Sequence, residues 1–450
     1  MSQTRDLGRA EKKKVPPLIC NVVVPTLLST KSPINTDLLK KAVYHFITVQ
    51  PNLSAGIKEI DGIWKFVPLK LIDNFFEVLP DTCEWKDVCL KYSNGFLREP
   101  SECEFYPPLK VFFIKQSIAS AYFIPVYLHY AADGINGMYM VHDILKNYTK
   151  LCKGEKLDAT SFPPPPSVDD MALSGLTDSD DELREKFELH QRVACKSLNF
   201  SFPFEEISGA EALYYTSTAN EYENFLSACR HYQVTVGAAL TASLFFGFGG
   251  YMFQTKPDCP EELKIGINIP INLRDRVPNN IASNCCNLTV THFLLVRPIT
   301  KLTKFWELAR QIREVLLEKM NEQHKFYLFD FGCNEGVCSS EERKDAKEKH
   351  GVPFHSYVSN MKRFPGPVDF GEFSVESIHC AGGTWLTGRD VMDFLIYSTN
   401  KFNLSIVHRK GVKNKKRAEH VFEYVKQIVE SASKWKQDKS LENCARNVNL

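Results

Sequence analysis

The stretch Ser120-Ala121-Tyr122-Phe123-Ile124-Pro125-Val126-Tyr127-Leu128-His129-Tyr130-Ala131-Ala132-Asp133-Gly134 decides how this chain is read. Its first nine residues are mostly apolar and rich in β-branched and aromatic side chains, which favours a buried strand over a helix. Pro125 cannot donate a backbone hydrogen bond and so points to a sheet edge or a bulge. From Ile135 onward, apolar residues recur at Met138, Val141, Leu145 and Tyr148, the spacing of one helix face. These two periods predict a strand, a sharp turn through Asp133-Gly134 and a helix. The turn holds His129 at the mouth of a sheet. An imidazole, with an ordinary pKa of about 6.5, is the side chain best matched to taking and returning a proton at neutral pH. Asp133 can bend back to the histidine loop or reach a cation elsewhere.

The rest of the chain limits what this turn can belong to. At 450 residues, two domains of about 200 residues each are expected. A hydrophobic share of 44% with 12% aromatics fills two cores, and a net charge of +1 argues against a nucleic-acid partner. The polar, basic stretch Met1 to Val15 and the short apolar run Ile19 to Leu28 predict neither a signal peptide nor a spanning helix. The 14 Cys form no paired CxxC units, and only Cys333 and Cys338 come near to one. They read as reduced thiols of a cytoplasmic protein, with no metal site.

Residues 153–185 change character, with four consecutive prolines from Pro163 to Pro166 and the acidic run Asp178-Ser179-Asp180-Asp181-Glu182. Such a stretch buries little and holds no helix, so it reads as the linker that ends an N-terminal unit, 1–185, ahead of a C-terminal unit, 186–450. Beyond it the pattern predicts strands at Ala212 to Thr218, Lys264 to Ile271, Tyr357 to Ser359, Phe373 to Ile378 and Asp393 to Ser398. It predicts helices at Asn220 to His231, Val236 to Phe253, Thr300 to Met320 and Ala418 to Lys436. Without a strict βαβ rhythm, an α/β (α+β) fold of mixed sheets covered by helices is expected. Gly247, Gly249 and Gly250 lie in an apolar helix and lack a following Lys-Ser/Thr, so no phosphate loop is read there. The absence of GxSxG removes the usual serine-hydrolase reading.

Three segments in order resemble the CoA-dependent acyltransferase superfamily of chloramphenicol-acetyltransferase-like fold, which includes peptide-synthetase condensation domains and plant BAHD enzymes. His129 to Gly134 matches its HxxxDG signature. Ala228 to Leu244 (ACRHYQVTVGAALTASL) resembles the helix, turn and helix that open the second half. Ile269-Pro270-Ile271-Asn272-Leu273-Arg274 is similar to the strand end carrying a family arginine. The opening Arg5-Asp6-Leu7-Gly8-Arg9-Ala10-Glu11 resembles the fungal alcohol acetyltransferase branch. Leu128 departs from the two adjacent histidines of condensation domains and favours a freestanding enzyme. Asp369-Phe370-Gly371 is only a partial match to the BAHD DFGWG motif.

The resemblance implies two lobes with a channel between them and His129 midway along it. It implies an O-acyltransferase, with acetyl-CoA as co-substrate and no permanently bound cofactor, acting on a hydrophobic alcohol or sterol. His129 would be the general base without a covalent intermediate. Asp133 and Gly134 would be structural, Asp133 paired across the lobes with Arg274 or, second, Arg276, and Gly134 leaving room for the pantetheine arm. Ser359, Asn360 and Thr399 end or follow predicted strands and are the candidate oxyanion donors. The basic cluster His408 to Arg417 reads by default as a solvated turn before the last helix; it also resembles a nuclear import signal, and it offers Arg409, Lys410 and Lys413 to CoA phosphates. An N-acetyltransferase acting on a long-chain or drug-like amine, or a noncatalytic binding module, are the alternatives. A monomer is expected, and the amphipathic ends are compatible with peripheral attachment to endoplasmic reticulum or lipid droplets.

Overall fold

The computed structural model describes residues 4–12, 15, 20–70, 73–163, 165, 198–200, 209–272, 274, 285–286, 289–322, 354–382 and 391–445. The first half supplies β1 (Arg5–Asp6), α1 (Arg9–Lys12), β2 (Asn21–Val23), β3 (Thr26–Thr30), α2 (Thr36–Val49), β4 (Ala55–Ile60), β5 (Ile63–Pro68), β6 (Phe76–Leu79), α3 (Trp85–Asn94), β7 (Leu109–Lys115), β8 (Ser120–Leu128) and α4 (Gly134–Cys152). β8 is an inner strand, with β7 on one side and β2 and β3 end to end on the other; β6 runs parallel beyond β7. β1, β5 and β4 form a small separate sheet. The apolar face read from Ile135 to Tyr148 is buried, as the helix period requires.

Pro125 corrects the edge expectation. It lies inside the sheet, opposite Val24, where the ladder of β2 stops and that of β3 begins. Its carbonyl accepts from the Val24 N–H at 2.9 Å. The Val24 carbonyl, which an ordinary residue at 125 would satisfy, faces the Thr26 hydroxyl at 3.4 Å instead.

The second half supplies β9 (Ala210–Thr216), α5 (Ala219–His231), α6 (Val236–Thr255), β10 (Leu263–Asn272), β11 (Thr289–Ile299), α7 (Phe305–Glu322), β12 (Ser356–Arg363), β13 (Phe373–Ile378), β14 (Ala381–Gly382), β15 (Met392–Ser398), β16 (Phe402–Arg409), α8 (Val412–Ser431) and α9 (Leu441–Ala445). Six of these strands form a mixed sheet in the order β11-β10-β12-β15-β16-β9. The other two, β13 and β14, pair with β3 and β2 and so complete the sheet of the first half.

Period-two alternation divides the six-stranded sheet into two faces. Val358, Met392, Phe394, Ile396, Phe402, Leu404 and Ile406 join a core with α6, α7 and α8, whereas Met361, Leu395, Tyr397 and Val407 join the core of the first half. Both faces of β16 are therefore buried, and its alternating Phe402-Asn403-Leu404-Ser405-Ile406 places Asn403 and Ser405 inside the protein as well. α8 begins six residues before the expected Ala418, because its first turns bury polar groups: Asn414 donates to the Lys410 carbonyl at 3.2 Å, and Arg417 to Asn414 at 3.1 Å. α7 begins at Phe305, not Thr300, and Leu302 is left 75% exposed.

The glycines of α6 serve helix packing. A Cβ at Gly247 would sit 2.9 Å from Val421, and one at Gly250 would collide with the Tyr424 ring. α6 is long and apolar enough to cross a membrane, yet 78% of its apolar window is buried within the protein, the position of a core helix. Gly250→Val is expected to lower stability by about 1–3 kcal/mol through overpacking against α8, read as a lower midpoint in urea unfolding.

Candidate active site

His129 follows the last residue of β8, and its N–H is tied to the Cys20 carbonyl at 2.8 Å. Its ring Nδ1 lies 3.0 Å from the Ala132 carbonyl. A carbonyl only accepts, so Nδ1 carries the hydrogen and the neutral ring keeps its lone pair at Nε2. The half-buried ring borders a cavity of about 240 Å³ between the halves of the chain. Cys20, Val22, His129, Gly134 and Ile135 line it from the first half of the chain, and Pro270, Asn272, Tyr357, Ser359, Met361, Cys380, Ala381, Asp393 and Leu395 from the second.

The turn after His129 is fixed from both halves. Asp133 caps α4, its Oδ1 accepting from the Asn136 N–H at 3.2 Å, while Asn136 Oδ1 accepts in return from the Asp133 N–H at 3.3 Å. Arg274, two residues past β10, donates from Nη1 to Asp133 Oδ2 at 2.7 Å and from Nη2 to Asn136 Oδ1 at 2.9 Å and the Cys286 carbonyl at 3.2 Å. Asn272 steadies the arginine by accepting from its N–H at 3.1 Å and from Nη1 at 3.2 Å. Both charges are out of solvent, with side-chain exposures of 3% and 0%. Burial opposes the charge on Arg274, but Asp133 and the cysteines beside it raise its pKa on balance. The Tyr127 hydroxyl donates to the Asp133 carbonyl at 2.7 Å and the Tyr397 hydroxyl to the Gly134 carbonyl at 2.6 Å, pinning the same turn from both sheets.

Of the other residues singled out in the sequence, Gly134 lines the cavity, but the space a Cβ would take there holds the Met361 thioether, 2.5 Å from Cε. Ser359 lines the cavity from β12. Asn360 reaches its rim, with Oδ1 accepting from the Lys362 N–H at 2.9 Å and Nδ2 against Gly237. Thr399 is absent from the lining and sits in the β15–β16 turn, its hydroxyl near Asn400, Lys401 and Asn403. Arg409, Lys410 and Lys413 lie at the end of β16 and the start of α8 and do not line the cavity. Arg276 lies outside the described residues. Asp369 to Gly371 forms a tight turn, in which Asp369 accepts from the Gly371 N–H at 2.8 Å, leading into β13.

Pattern reading missed Asp393. Burial pushes its carboxyl up to about 7, and its Oδ1 is buried without a hydrogen bond. An acid within the otherwise apolar run Val391 to Tyr397 was the available signal. Burial likewise pushes the Cys380 thiol up to about 12, so it stays protonated in the same cavity.

This architecture is the two-lobed fold of condensation domains and chloramphenicol-acetyltransferase-like acyltransferases. Trichothecene 15-O-acetyltransferase TRI3 from Fusarium sporotrichioides superposes with a TM-score of 0.70 at 12% identity, over 94% of this chain and 94% of that one. Polyketide synthase associated protein 5 from Mycobacterium tuberculosis superposes with a TM-score of 0.67 at 15% identity, over 95% and 98%. The first condensation domain of the CDA synthetase gives 0.67 at 10% identity, over 98% of each chain. No protein-family profile matches the chain, and no curated protein matches it in sequence.

Removing one partner of a buried pair leaves an uncompensated charge, so Arg274→Ala is expected to cost about 3–5 kcal/mol in denaturant unfolding. Asp133→Asn should lower both the melting temperature and the activity assigned below. Asp393 yields a stability profile of the opposite kind. Because its folded pKa is raised to about 7, its ionisation costs nothing at low pH, costs more as pH rises above its ordinary value, and reaches full cost above 7. Asp393→Asn should therefore gain stability over the parent by roughly 2–4 kcal/mol on going from about pH 5 to about pH 8, measured by urea unfolding.

Proposed function

We propose that this protein is an acyltransferase that moves a short acyl group, acetyl first among them, from acyl-CoA to the hydroxyl of an apolar alcohol or sterol. The observation that carries the reading is the hydrogen bond from His129 Nδ1 to the Ala132 carbonyl, which fixes Nε2 as the basic nitrogen of a ring facing a largely apolar cavity. An alcohol is too weak an acid to ionise unaided at neutral pH. Nε2 takes its proton as the oxygen bonds to the thioester carbonyl carbon. Collapse of the tetrahedral adduct breaks the carbon–sulfur bond, and the imidazolium returns the proton to a thiolate whose conjugate acid has a pKa of about 8.5. No bond to the protein is made.

The Ser359 hydroxyl, in the same cavity, is the proposed donor to the oxyanion, an interaction worth about 3 kcal/mol where such donors have been removed. Asp133 and Arg274 do not touch the reacting atoms in this scheme; they hold the turn that aims His129. Lys410 and Lys413 lie outside the cavity and Arg409 is buried, so none of the three touches the reacting atoms in this scheme. The shared fold with a trichothecene O-acetyltransferase and the apolar lining support oxygen as the nucleophile. The opening Arg5 to Glu11, likened to fungal alcohol acetyltransferases, agrees with this. Condensation domains share the fold as well, and the same base serves a primary amine, so amines form the second arm of the test.

Purified protein incubated with acetyl-CoA and a panel of alcohols, sterols and long-chain amines should yield one dominant acetylated product by mass spectrometry, an ester. His129→Ala is expected to remain folded and to transfer the acyl group at least about a hundredfold more slowly. Acceptor-dependent release of free thiol at the parent rate in that variant would overturn the mechanism.

A further inference from the structure

We infer that Asp393 anchors the acceptor, its carboxyl taking a hydrogen bond from a second hydroxyl or ammonium group of the molecule whose reacting group faces His129. The inference rests on the acyl-acceptor reading above and narrows it from a simple apolar alcohol to a bifunctional one.

The position is set by register. Asp393 lies in β15 beside Tyr357 of β12 and Val407 of β16, and alternation turns it toward the cavity while Met392 and Phe394 go to the helix side. His129 belongs to the wall built by the first sheet and Asp393 to the wall built by the second, so a molecule lying between the sheets meets both. Oδ1 is buried and accepts nothing among the described residues, although buried polar atoms in folded proteins almost always find a partner. The described lining residues include no Lys or Arg to neutralise it, and burial alone accounts for its raised pKa. The ionisable groups that share the cavity are Tyr357 on β12, Cys20 before β2, Cys380 before β14 and His129 after β8. Val22, Ile135, Pro270, Met361, Ala381 and Leu395 give the wall its apolar part, and Asn21, Asn272, Ser359 and Asn360 are neutral polar neighbours. A carboxyl with no counter-charge, set among neutral groups in a largely apolar cavity, is an arrangement that orients a ligand by a polar contact.

Such a group also discriminates by protonation. Near neutral pH it shares its proton evenly, so a hydroxyl finds an acceptor in either form, whereas an ammonium group requires the carboxylate and expels the proton.

The test is calorimetric binding of three probes of equal chain length, a medium-chain alkanol, its α,ω-diol and its α,ω-amino alcohol, to the parent, Asp393→Asn, Asp393→Val and His129→Ala proteins. The parent should bind the diol and the amino alcohol at least about tenfold more tightly than the alkanol. Asp393→Val should erase that difference and leave alkanol binding unchanged; Asp393→Asn should keep the diol preference and lose the amino alcohol's. Below neutral pH, amino alcohol binding should release a proton, seen as a dependence of the heat on buffer ionisation enthalpy. Equal binding of the three probes, no measurable binding of any, or an equal loss of all three in Asp393→Val would overturn the inference. His129→Ala should retain the parent pattern. Absent acyl transfer with this binding pattern intact would count against the proposed function alone, and transfer without the pattern against Asp393 alone.

Discussion

The ion pair between Arg274 and Asp133 is the constraint on which the candidate site depends. Asp133 is the cap of α4, so whatever fixes its carboxylate fixes the start of that helix and the orientation of His129, four residues earlier. The arginine comes from the opposite sheet and also holds Asn136 and the Cys286 carbonyl, so it binds two lobes through a single side chain. A planar guanidinium can do this because its donors diverge in one plane; a lysine ammonium in its place could not reach the same set. Neither charge could be buried alone. Each is tolerated only because the other half of the chain supplies its partner.

Around this pair, the two halves are joined by more than contact. β13 and β14 leave the second half and complete the first sheet, so the sheet core of the first half requires residues 373–382. Just after β13, His379 lies between Thr216 and Ser405, with ring nitrogens 3.0 and 3.4 Å from their hydroxyls, and burial lowers its pKa to about 4. It stacks near Trp85 of α3. A neutral imidazole among hydroxyls fills a polar gap in the seam without bringing a charge into it. His129 is the half-buried histidine at the cavity, whereas His355, His379, His408 and His420 are buried and have their pKa lowered by desolvation.

Much of the fold was legible because its apolar residues come in runs or at regular periods. β8 and α4 emerged from their periods with nearly correct bounds, as did α5, α6, β10, β13 and β15. Elements that bury polar residues did not. β16 is covered on both faces and interleaves Asn403, Ser405 and His408 with aliphatic residues; the first turns of α8 hide Asn414 and Arg417 behind side-chain bonds to the chain just before them. Pro125 was misleading because its edge-like requirement is met inside the sheet, at a break in the neighbouring strand. In the site, Ser359 and Thr399 both read as residues at strand ends, yet β12 runs on past Ser359, which lines the cavity, to Arg363, while Thr399 lies in the hairpin turn after β15. Strand ends are alike in sequence; only the sheet order tells which of them face inward.

The sequence by itself determined the strand–turn–helix that carries His129, the mixed α/β character and the apolar faces of the helices, because these follow from local periodicity and turn chemistry. Only the tertiary structure shows Arg274 meeting Asp133 across 141 positions of chain, the pairing the resemblance implied, and Asp393 facing the same cavity as His129. Those are facts about which surfaces meet when the two sheets close on each other. Charge compensation and desolvation act only between groups that have already been brought together.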